Sequence, residues 1–336
     1  MSRSHGYSLD DLIENPVLIA ESLERDEIRC ERDLIIDSVS TADIEFSTTT
    51  PLVSTVDDYY NGAILVNVTM SERYTVSDYN GSTQVLTLSS TPSGWSASDK
   101  CYLKNINCNV DTTTVDATAA DRDSWIFGRS LTDRKSSDQI FQQLMFESHC
   151  IRFKTYNNTS IVTLDLDESV GTLDTPLIEN GRPQVSWTFT PLNNIYSSFV
   201  LNYDYDPASN LYRKHAKVDK NYASDAYLDG MKTYCSNAEI NYKIGHREYT
   251  YDSDWIYDDA TAYYLLEKLV LWFSYQRMVL TWSSNIKEGI KYEVGDKVLV
   301  DYDYMIPDGR SGTQVFLITY KKIMPKKKVV LFNLIY

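Results

Sequence analysis

The stretch Trp255–Val300 limits what this chain can fold into more than any other part of its sequence. Asp258 and Asp259 lie where acidic residues stabilise a helix N-terminus, and neither Gly nor Pro follows up to residue 273. Apolar side chains cover most of the circumference of this segment, which predicts a buried central helix over residues 258–273. Two strand-like segments follow, and the second begins after a turn at Gly295-Asp296. The stretch predicts one helix followed by an antiparallel β-unit, and no catalytic motif is visible in it.

The composition is that of an ordinary globular protein with an excess of tyrosine. The chain has 336 residues, a length sufficient for two or three domains with cores of their own. Of its residues 43% are hydrophobic and 24% are charged, as in ordinary globular proteins. Tyrosine (26 residues, beside 6 Trp) suits strands and wet interfaces because its ring is apolar and its hydroxyl is polar. We favour a Tyr-rich β protein that works in an assembly. The alternative is a carbohydrate-binding surface that uses exposed aromatic residues such as Trp95, Trp187 and Trp255.

The charge pattern argues against specific nucleic-acid binding. The net charge is −15, and a polyanion is repelled by such a surface. The exception is a basic run that is split by Pro325 and followed by a strand-like segment, which predicts a charged hairpin turn, with phosphate binding as the minority alternative. Its members are Lys321, Lys322, Lys326, Lys327 and Lys328.

Cysteine usage and hydropathy indicate the compartment. Five cysteines are an odd number, and none has the spacing of a zinc or redox motif, so reduced thiols in a cytosolic environment are the simplest interpretation. The N-terminus lacks the apolar core of a signal peptide, and no apolar run approaches membrane-spanning length. We therefore expect a soluble protein made in the cytoplasm, with no membrane-spanning segment.

The order of patterns predicts an α+β fold that is predominantly β. Residues 1–45 contain a helix over Val17–Ile28, after Asn15 and Pro16. Residues 46–110 alternate short strands with tight turns and predict a small antiparallel β module inserted into a larger domain. Residues 111–183 form a mixed α/β domain with a helix that starts at Ser136 or Ser137, and residues 184–336 form a β-rich domain around the central helix. Within that last part, residues 206–238 have weak periodicity and predict a long connection with at most one short helix.

No arrangement of residues predicts catalysis. The sequence has no Gly-rich phosphate loop, no nucleophile elbow and no paired His at zinc-ligand spacing. His149 and Cys150 are adjacent and would point to opposite faces of a strand, so they cannot form a dyad by themselves. We expect that the protein is not an enzyme and has no catalytic, cofactor-binding or metal-binding residues.

Acidic pairs are the strongest opposing signal. Asp204 and Asp206, like Asp301 and Asp303, are two residues apart and would share one face of a strand, as glycoside hydrolysis or calcium binding could require. Both pairs lie at strand ends, where solvated acids are common, so a structural role is favoured. The acidic residues at 252, 254, 258 and 259 are interpreted in the same way, as a solvated helix entry.

Four segments, taken in order, resemble the tail-hub proteins of tailed bacteriophages, which are found at the baseplate or tail tip. They are ENPVLIAESLERDEI from residue 14, SSDQIFQQLMFES from residue 136, QVSWTFTPLNNIYSSFVLNYDYD from residue 184, and the helix–strand–Gly-Asp–strand block Trp255–Val300. The predicted module contains DDYYNG and SDYNGST and is similar to small β modules that decorate phage structural proteins. The resemblance covers most of the chain outside residues 206–238, and it is carried by a pattern of elements more than by an invariant motif.

The resemblance implies β-barrel-like hub domains linked by mixed α/β pieces. It implies a ring around the tail axis, commonly a homotrimer, in contact with distal tail or tube proteins, the tape measure protein, and fibre or spike proteins. It carries over no catalytic residue, and it implies location in the virion. One departure is clear, because hub proteins usually begin with a β-barrel before the segment that matches Glu14–Ile28. Either a separate polypeptide supplies that barrel, or this chain is a different tail component that uses only the later hub domains. We favour the first alternative.

Overall fold

The structure is a computed structural model that describes residues 13–28, 30–106, 110–128, 136–154, 159–166, 169–179, 181–300 and 314–336. Strands account for 39% of it and helices for 25%, which confirms the predicted α+β class with β predominant. Two units are present. The first consists mainly of residues 17–115, and the second mainly of residues 116–155 and 161–336.

The first unit is built around a six-stranded antiparallel barrel. A helix, α1 (Pro16–Ser22), runs into a π-helical segment (Leu23–Ile28) before the first strand. The barrel strands are β1 (Glu31–Ser40), β2 (Asp43–Phe46), β3 (Ile64–Asn67), β4 (Glu72–Asn80), β5 (Val85–Leu88) and β6 (Lys100–Lys104). They close in the order β1-β2-β5-β4-β3-β6, with β6 pairing back to β1.

Alternation along the strands fills the barrel. Ile44, Leu65, Leu86 and Leu103 point inward and are fully buried, while their sequence neighbours are more exposed, although Lys104 is also buried. The loop between β2 and β3 adds Tyr60, whose ring packs edge-on against Tyr79 of β4 at 4.7 Å between centroids. Both hydroxyls donate hydrogen bonds inside the unit, to the Glu31 carboxylate and to the Ser54 carbonyl. Each buried tyrosine is therefore satisfied at its polar end.

The barrel also includes residues 31–45, which lie in the predicted N-terminal helical part (residues 1–45) and before the predicted module (residues 46–110). Asp33 has a φ of 61° and the register shifts between Ile36 and Ser38, so regular alternation is broken in the first strand. Closure depends on pairs such as Leu34 with Cys101, which are far apart in sequence. One of the tight turns of the module lies at Asn80-Gly81, between β4 and β5. A Cβ on Gly81 would lie 2.3 Å from the Thr55 carbonyl oxygen, so only glycine fits there.

The second unit combines five helices with two principal sheets. Its helices are α2 (Thr112–Asp121, which begins in the first unit), α3 (Ser137–Glu147), α4 (Met231–Tyr242), α5 (Asp259–Phe273) and α6 (Ile286–Gly289). Its strands are β7 (Cys150–Lys154), β8 (Thr159–Thr163), β9 (Gly171–Leu173), β10 (Ile178–Glu179), β11 (Arg182–Pro183), β12 (Val185–Phe189), β13 (Ser198–Asp206), β14 (Leu211–Asp219), β15 (Glu248–Asp252), β16 (Met278–Asn285), β17 (Lys297–Val300), β18 (Gln314–Met324) and β19 (Val329–Ile335). Short 3-10 turns lie at Leu192–Asn194, Ala226–Leu228 and Pro325–Lys327.

The larger sheet has the order β12-β16-β19-β18-β17-β9, and every pair is antiparallel except β17 with β9. Its core contains Trp282 of β16 and Phe332 of β19, both with no exposed surface. The smaller sheet has the order β14-β13-β15, and helix α5 packs against β13 and β14. Both strands predicted in the block after α5 are present, as β16 and β17, but they do not form the predicted antiparallel β-unit with each other. Helix α6 lies between them in the chain, and β19 and β18 lie between them in the sheet.

Helix starts agree with the capping residues in the sequence. Asp258 is the N-cap of α5 and accepts a hydrogen bond from the Thr261 N–H at 3.0 Å. Ser136 begins α3 with a reciprocal capping box, in which the Gln139 N–H donates to the Ser136 hydroxyl and the Ser136 N–H donates to the Gln139 side-chain oxygen. The buried face of α5 includes Leu265 and Leu269. The predicted central helix is confirmed, and no helix in the described part of the chain has the length and apolar composition needed to cross a bilayer.

Residues 206–238 are not the long connection that weak periodicity predicts. They contain all of β14, the 3-10 turn Ala226–Leu228 and about the first two turns of α4. In β14 only Ala216 and Val218 are buried, and in α4 only Cys235 and Ala238 are, so most positions face solvent and carry no apolar pattern. The predicted helix Val17–Ile28 also differs, because its second half is π-helical. Asn15 donates its side-chain amide to the Ala119 and Arg122 carbonyls.

Candidate functional site

A partly buried cluster of charged side chains in the second unit is centred on Asp165, in the segment after β8. The carboxylate accepts from Arg122 at 2.9 Å and from Lys268 of α5 at 2.8 Å, and His149 Nδ1 lies 3.5 Å away. Burial alone raises the pKa of Asp165, but His149, Arg122 and Lys268 outweigh it and hold that pKa far below its usual range. The carboxylate is therefore ionised at every physiological pH.

Arg122 connects this charged centre to the backbone. Its Nε donates to the Ser148 carbonyl at 2.8 Å, and one terminal nitrogen donates to the His149 carbonyl at 3.3 Å. These bonds hold the tight turn between α3 and β7, where His149 has a φ of 51°. The centre links α2, α5, this turn and the end of β8, so its contacts stabilise the fold.

His149 and Cys150 are adjacent, but each side chain has a different environment. The imidazole lies edge-on to Trp272 at 5.6 Å between centroids, and burial lowers its pKa. The Cys150 thiol donates to the Ser148 carbonyl at 3.3 Å, and burial raises its pKa, which keeps it protonated. This geometry directs the thiol proton to the backbone and not to the imidazole.

A second buried carboxyl group belongs to Glu147, the last residue of α3. The side chain has no exposed surface and accepts from Gln143 at 2.9 Å, from the Tyr251 hydroxyl at 3.2 Å and from the Ser253 hydroxyl. Burial raises the pKa of Glu147 to about 7, against the opposing effect of those three donors. Because this burial is lost on unfolding, the folded and unfolded chains bind the Glu147 proton with different affinity. The stability of the fold therefore depends on pH.

Of the two acidic pairs, the structure describes only Asp204 and Asp206, and these two do not form an open carboxylate site. Asp206 accepts from Arg213 at 2.8 Å and from Ser209 at 2.9 Å, and the bond from Arg213 is the main reason that its pKa falls to about 2. Asp204 has a φ of 59°, and its N–H donates to the Ile256 carbonyl at 2.8 Å. Asp301 and Asp303 lie outside the described residues. Within the described ranges, no three His, Cys, Asp or Glu side chains are placed to hold a metal ion.

The three tryptophans considered for sugar binding differ in exposure. Trp95 is 7% exposed and Trp255 is 5% exposed, so both belong to the core, whereas Trp187 on the edge strand β12 is 44% exposed. A sugar-binding platform needs a flat aromatic face that is open to solvent. Only Trp187 of the three meets that condition, beside the half-buried Phe189 at 5.6 Å between ring centroids.

The basic run forms the tip of the β18–β19 hairpin, as the sequence predicts. Pro325–Lys327 is a 3-10 turn, and Lys328 closes it with a φ of 55°. Lys321 is held at the base of the tip by Glu293 at 2.7 Å and is 6% exposed at its side chain. We call the other four lysines, which are all exposed, the basic tip: Lys322, Lys326, Lys327 and Lys328.

An apolar groove of about 420 Å³ lies between α3 and β7, lined mainly by Phe141, Met145, Phe146, Ile151 and Leu164. The guanidinium of Arg152 lies over the Phe141 ring at 4.2 Å. The groove contains no arrangement of nucleophile and base. The apolar lining of the groove is suited to binding an apolar side chain.

Sequence reasoning missed both buried carboxyl groups. The cluster around Asp165 combines residues that are up to 146 positions apart in the sequence, and nothing in their local patterns connects them. These residues are Arg122, His149, Asp165 and Lys268. For Glu147 a weak signal exists: it ends a predicted amphipathic helix on the same side as Leu144, where an acid is unexpected.

No protein-family profile and no curated protein matches this chain. Among solved structures, it is similar to a chain of the virion of a native gene transfer agent particle, at 11% identity and a TM-score of 0.40, over 75% of this chain and 64% of that one. It is similar to prophage tail protein gp18 from Listeria monocytogenes, at 11% identity and a TM-score of 0.38, over 90% and 94% of the two chains. A tail protein from Neisseria meningitidis matches at 10% identity and a TM-score of 0.38, over 92% and 97%. TM-scores of this size do not establish a common fold.

Proposed function

We propose that this chain is a structural protein of a bacteriophage tail tip or baseplate, where it forms part of a hub ring around the tail axis. The observation that carries the proposal is the block from Trp255 to Val300, the last of the four segments that together resemble tail-hub proteins. In the structure this block contains helix α5, strand β16, the short helix α6 and strand β17, and both strands belong to the six-stranded sheet. This block is thus part of the core architecture of the second unit.

The proposed role is mechanical and not enzymatic. The ring, a homotrimer in this proposal, closes the tail end and connects tube or distal tail proteins and the tape measure protein to fibre or spike proteins. The buried carboxylates support this reading, because Asp165 and Glu147 are used inside the fold and neither faces an open cleft. A separate chain supplying a further N-terminal barrel remains part of the proposal, as do the hub domains at residues 111–183 and 184–336.

The acidic surface has a role in the same proposal. With a net charge of −15, a ring of these chains repels the phosphate backbone, which suits a lumen through which DNA passes without binding. The small barrel is proposed to project from the hub body and to contact a neighbouring chain or the host surface. The protein is made in the host cytoplasm and ends up in the virion.

The proposal is tested by mass and by location. Size-exclusion chromatography with light scattering should give roughly 116 kDa for a trimer, three times the 38.6 kDa chain. Mass spectrometry of purified phage particles, with gold-labelled antibody on intact tails, should place the chain at the tail end. Its absence from purified particles would refute the virion role, whatever the mass in solution.

A further inference from the structure

The basic tip is an isolated positive feature on a strongly acidic chain. The whole sequence has 32 basic and 47 acidic residues, so without the four tip lysines the count is 28 against 47, a net charge of −19. None of the four makes an ion pair or hydrogen bond from its side chain to another described residue. Four like charges on neighbouring exposed positions repel one another, and a negatively charged partner removes that repulsion.

The fold holds this tip in a fixed position. The Ile286 N–H of α6 donates to the Lys328 carbonyl at 3.0 Å, and Val329 and Val330 below it are buried. A Cβ on Gly289 would lie 2.7 Å from the Val330 Cβ, which shows how closely α6 packs against the hairpin. Positioned charges lose less freedom on binding than charges on a flexible loop.

A complementary acidic face lies on the outside of the small barrel. Residues 31–104 contain 10 acidic and 4 basic residues, a net charge of −6. Strands β1, β2, β5 and β4 are neighbours, and the register places Asp43 of β2 and Asp78 of β4 on either side of Thr87 of β5. Glu45 lies two residues along β2, and Asp37 lies on β1 next to the Ser38–Glu45 pair. The segments 34–72 and 74–99 contain no Lys or Arg at all.

We propose that the basic tip of one chain docks on the acidic face of the small barrel of a neighbouring copy, as a head-to-tail contact within the assembly. The inference rests on the proposed ring, for which it supplies a contact between copies. A contact between two different patches is heterologous, and repeated around an axis it closes a ring. The four tip lysines match four carboxylates, at Asp37, Asp43, Glu45 and Asp78.

Screening explains why a negative chain can still associate with itself. At physiological ionic strength the Debye length is about 8 Å, so the general repulsion between copies is largely screened, while charges in contact still interact. A nucleic acid is the less favoured partner, because its phosphates would approach the surrounding net charge of −19 along their whole length.

The test is sedimentation velocity of the full chain at low and high ionic strength. We expect wild-type association to weaken with salt, and K322E/K326E/K327E to raise the apparent Kd by about tenfold or more, since three ion pairs become three repulsions. The matched control is K214E/K220E/K232E, which makes the same change of charge at three lysines in exposed ion pairs elsewhere. It should leave the Kd within about twofold of wild type.

A rescue variant separates a lost contact from a lost fold. D37K/E45K/D78K alone should weaken association as the tip variant does, and combining it with K322E/K326E/K327E in one chain should restore assembly. Normal assembly by the tip variant would overturn the docking contact and leave the proposed ring standing. The docking contact would also be overturned if K322E/K326E/K327E still associates but loses binding to duplex DNA. That result would favour a nucleic-acid partner. A wild-type chain that stays monomeric at low salt would refute the contact as well, and the virion role would still be decided by the particle analysis.

Discussion

The buried carboxyl of Glu147 makes the stability of this protein depend on pH in an unusual direction. Burial raises its pKa from 4.5 to about 7 in the folded chain. Below pH 4.5 both the folded and the unfolded states hold the proton. As the pH rises from 4.5 to 7, the unfolded state releases the proton first and is stabilised relative to the folded state. The free energy of unfolding therefore falls over this window and levels off above pH 7.

The magnitude follows from the two pKa values. The full difference corresponds to roughly 3 kcal/mol at 1.36 kcal/mol per pKa unit, and about 2.5 kcal/mol of it falls between pH 5 and pH 8. Glu147→Gln removes the titration and keeps a side chain that can accept from Gln143 and Tyr251. We expect the difference in unfolding free energy between pH 5 and pH 8 to be smaller in the variant than in wild type by about 2.5 kcal/mol.

Urea denaturation at the two pH values, followed by tryptophan fluorescence, measures this double difference. Every other titrating group contributes equally to both proteins and cancels. The control is Glu179→Gln, which removes an exposed glutamate of β10 and should leave the pH dependence of wild type unchanged. A Glu147→Gln variant whose stability varies with pH as much as that of wild type would refute the reasoning.

Three further predictions concern the rest of the fold. Asp165→Asn should reduce the free energy of unfolding at pH 7 by about 3–5 kcal/mol, because Arg122 and Lys268 lose their charged partner. This loss relative to wild type should shrink below about pH 4, where Asp165 of the unfolded chain becomes protonated. Chemical denaturation across pH measures the effect, and Asp123→Asn, at an exposed position, is the control. Gly289→Ala should cost about 1–3 kcal/mol, because its Cβ would lie 2.7 Å from the Val330 Cβ, whereas Gly230→Ala, with nothing within 4 Å, should be neutral within about 1 kcal/mol by thermal melting. A fragment of residues 13–115 should unfold cooperatively on its own in a calorimeter, and a fragment without a thermal transition would argue against an autonomous barrel.

Local signals in the sequence were sufficient for the elements with strong patterns. Helix α5 and helix α3 begin where Asp258 and Ser136 can cap them, because capping is decided within one turn of the chain. The hairpin at Pro325 was equally predictable, since proline and a basic run mark a turn between two apolar strands. These features depend on residues that are close in sequence.

Long-range features could not be predicted in the same way. Strand β14 has two buried residues and an otherwise solvated surface, so its pairing with β13 leaves little trace in its own sequence. The first barrel strand is recognisable only through its partner near residue 101. The Asp165 centre needs four residues from separate elements to meet, and the buried state of Glu147 depends on Ser253 and Tyr251. Tertiary contacts create these properties, so no local pattern contains them.

The closure of the barrel has a consequence for how such a protein can change over evolution. Glu31 at the start of β1 pairs with Leu103 near the end of β6, so the chain enters and leaves the barrel at neighbouring points. The two ends of the barrel segment, where the flanking chain joins it, are therefore separated by only the spacing of two paired strands. Any other domain whose ends also meet could replace it without altering the path of the flanking chain. The barrel is therefore an exchangeable cassette, whose outer surface can diverge while the sequence around it stays the same.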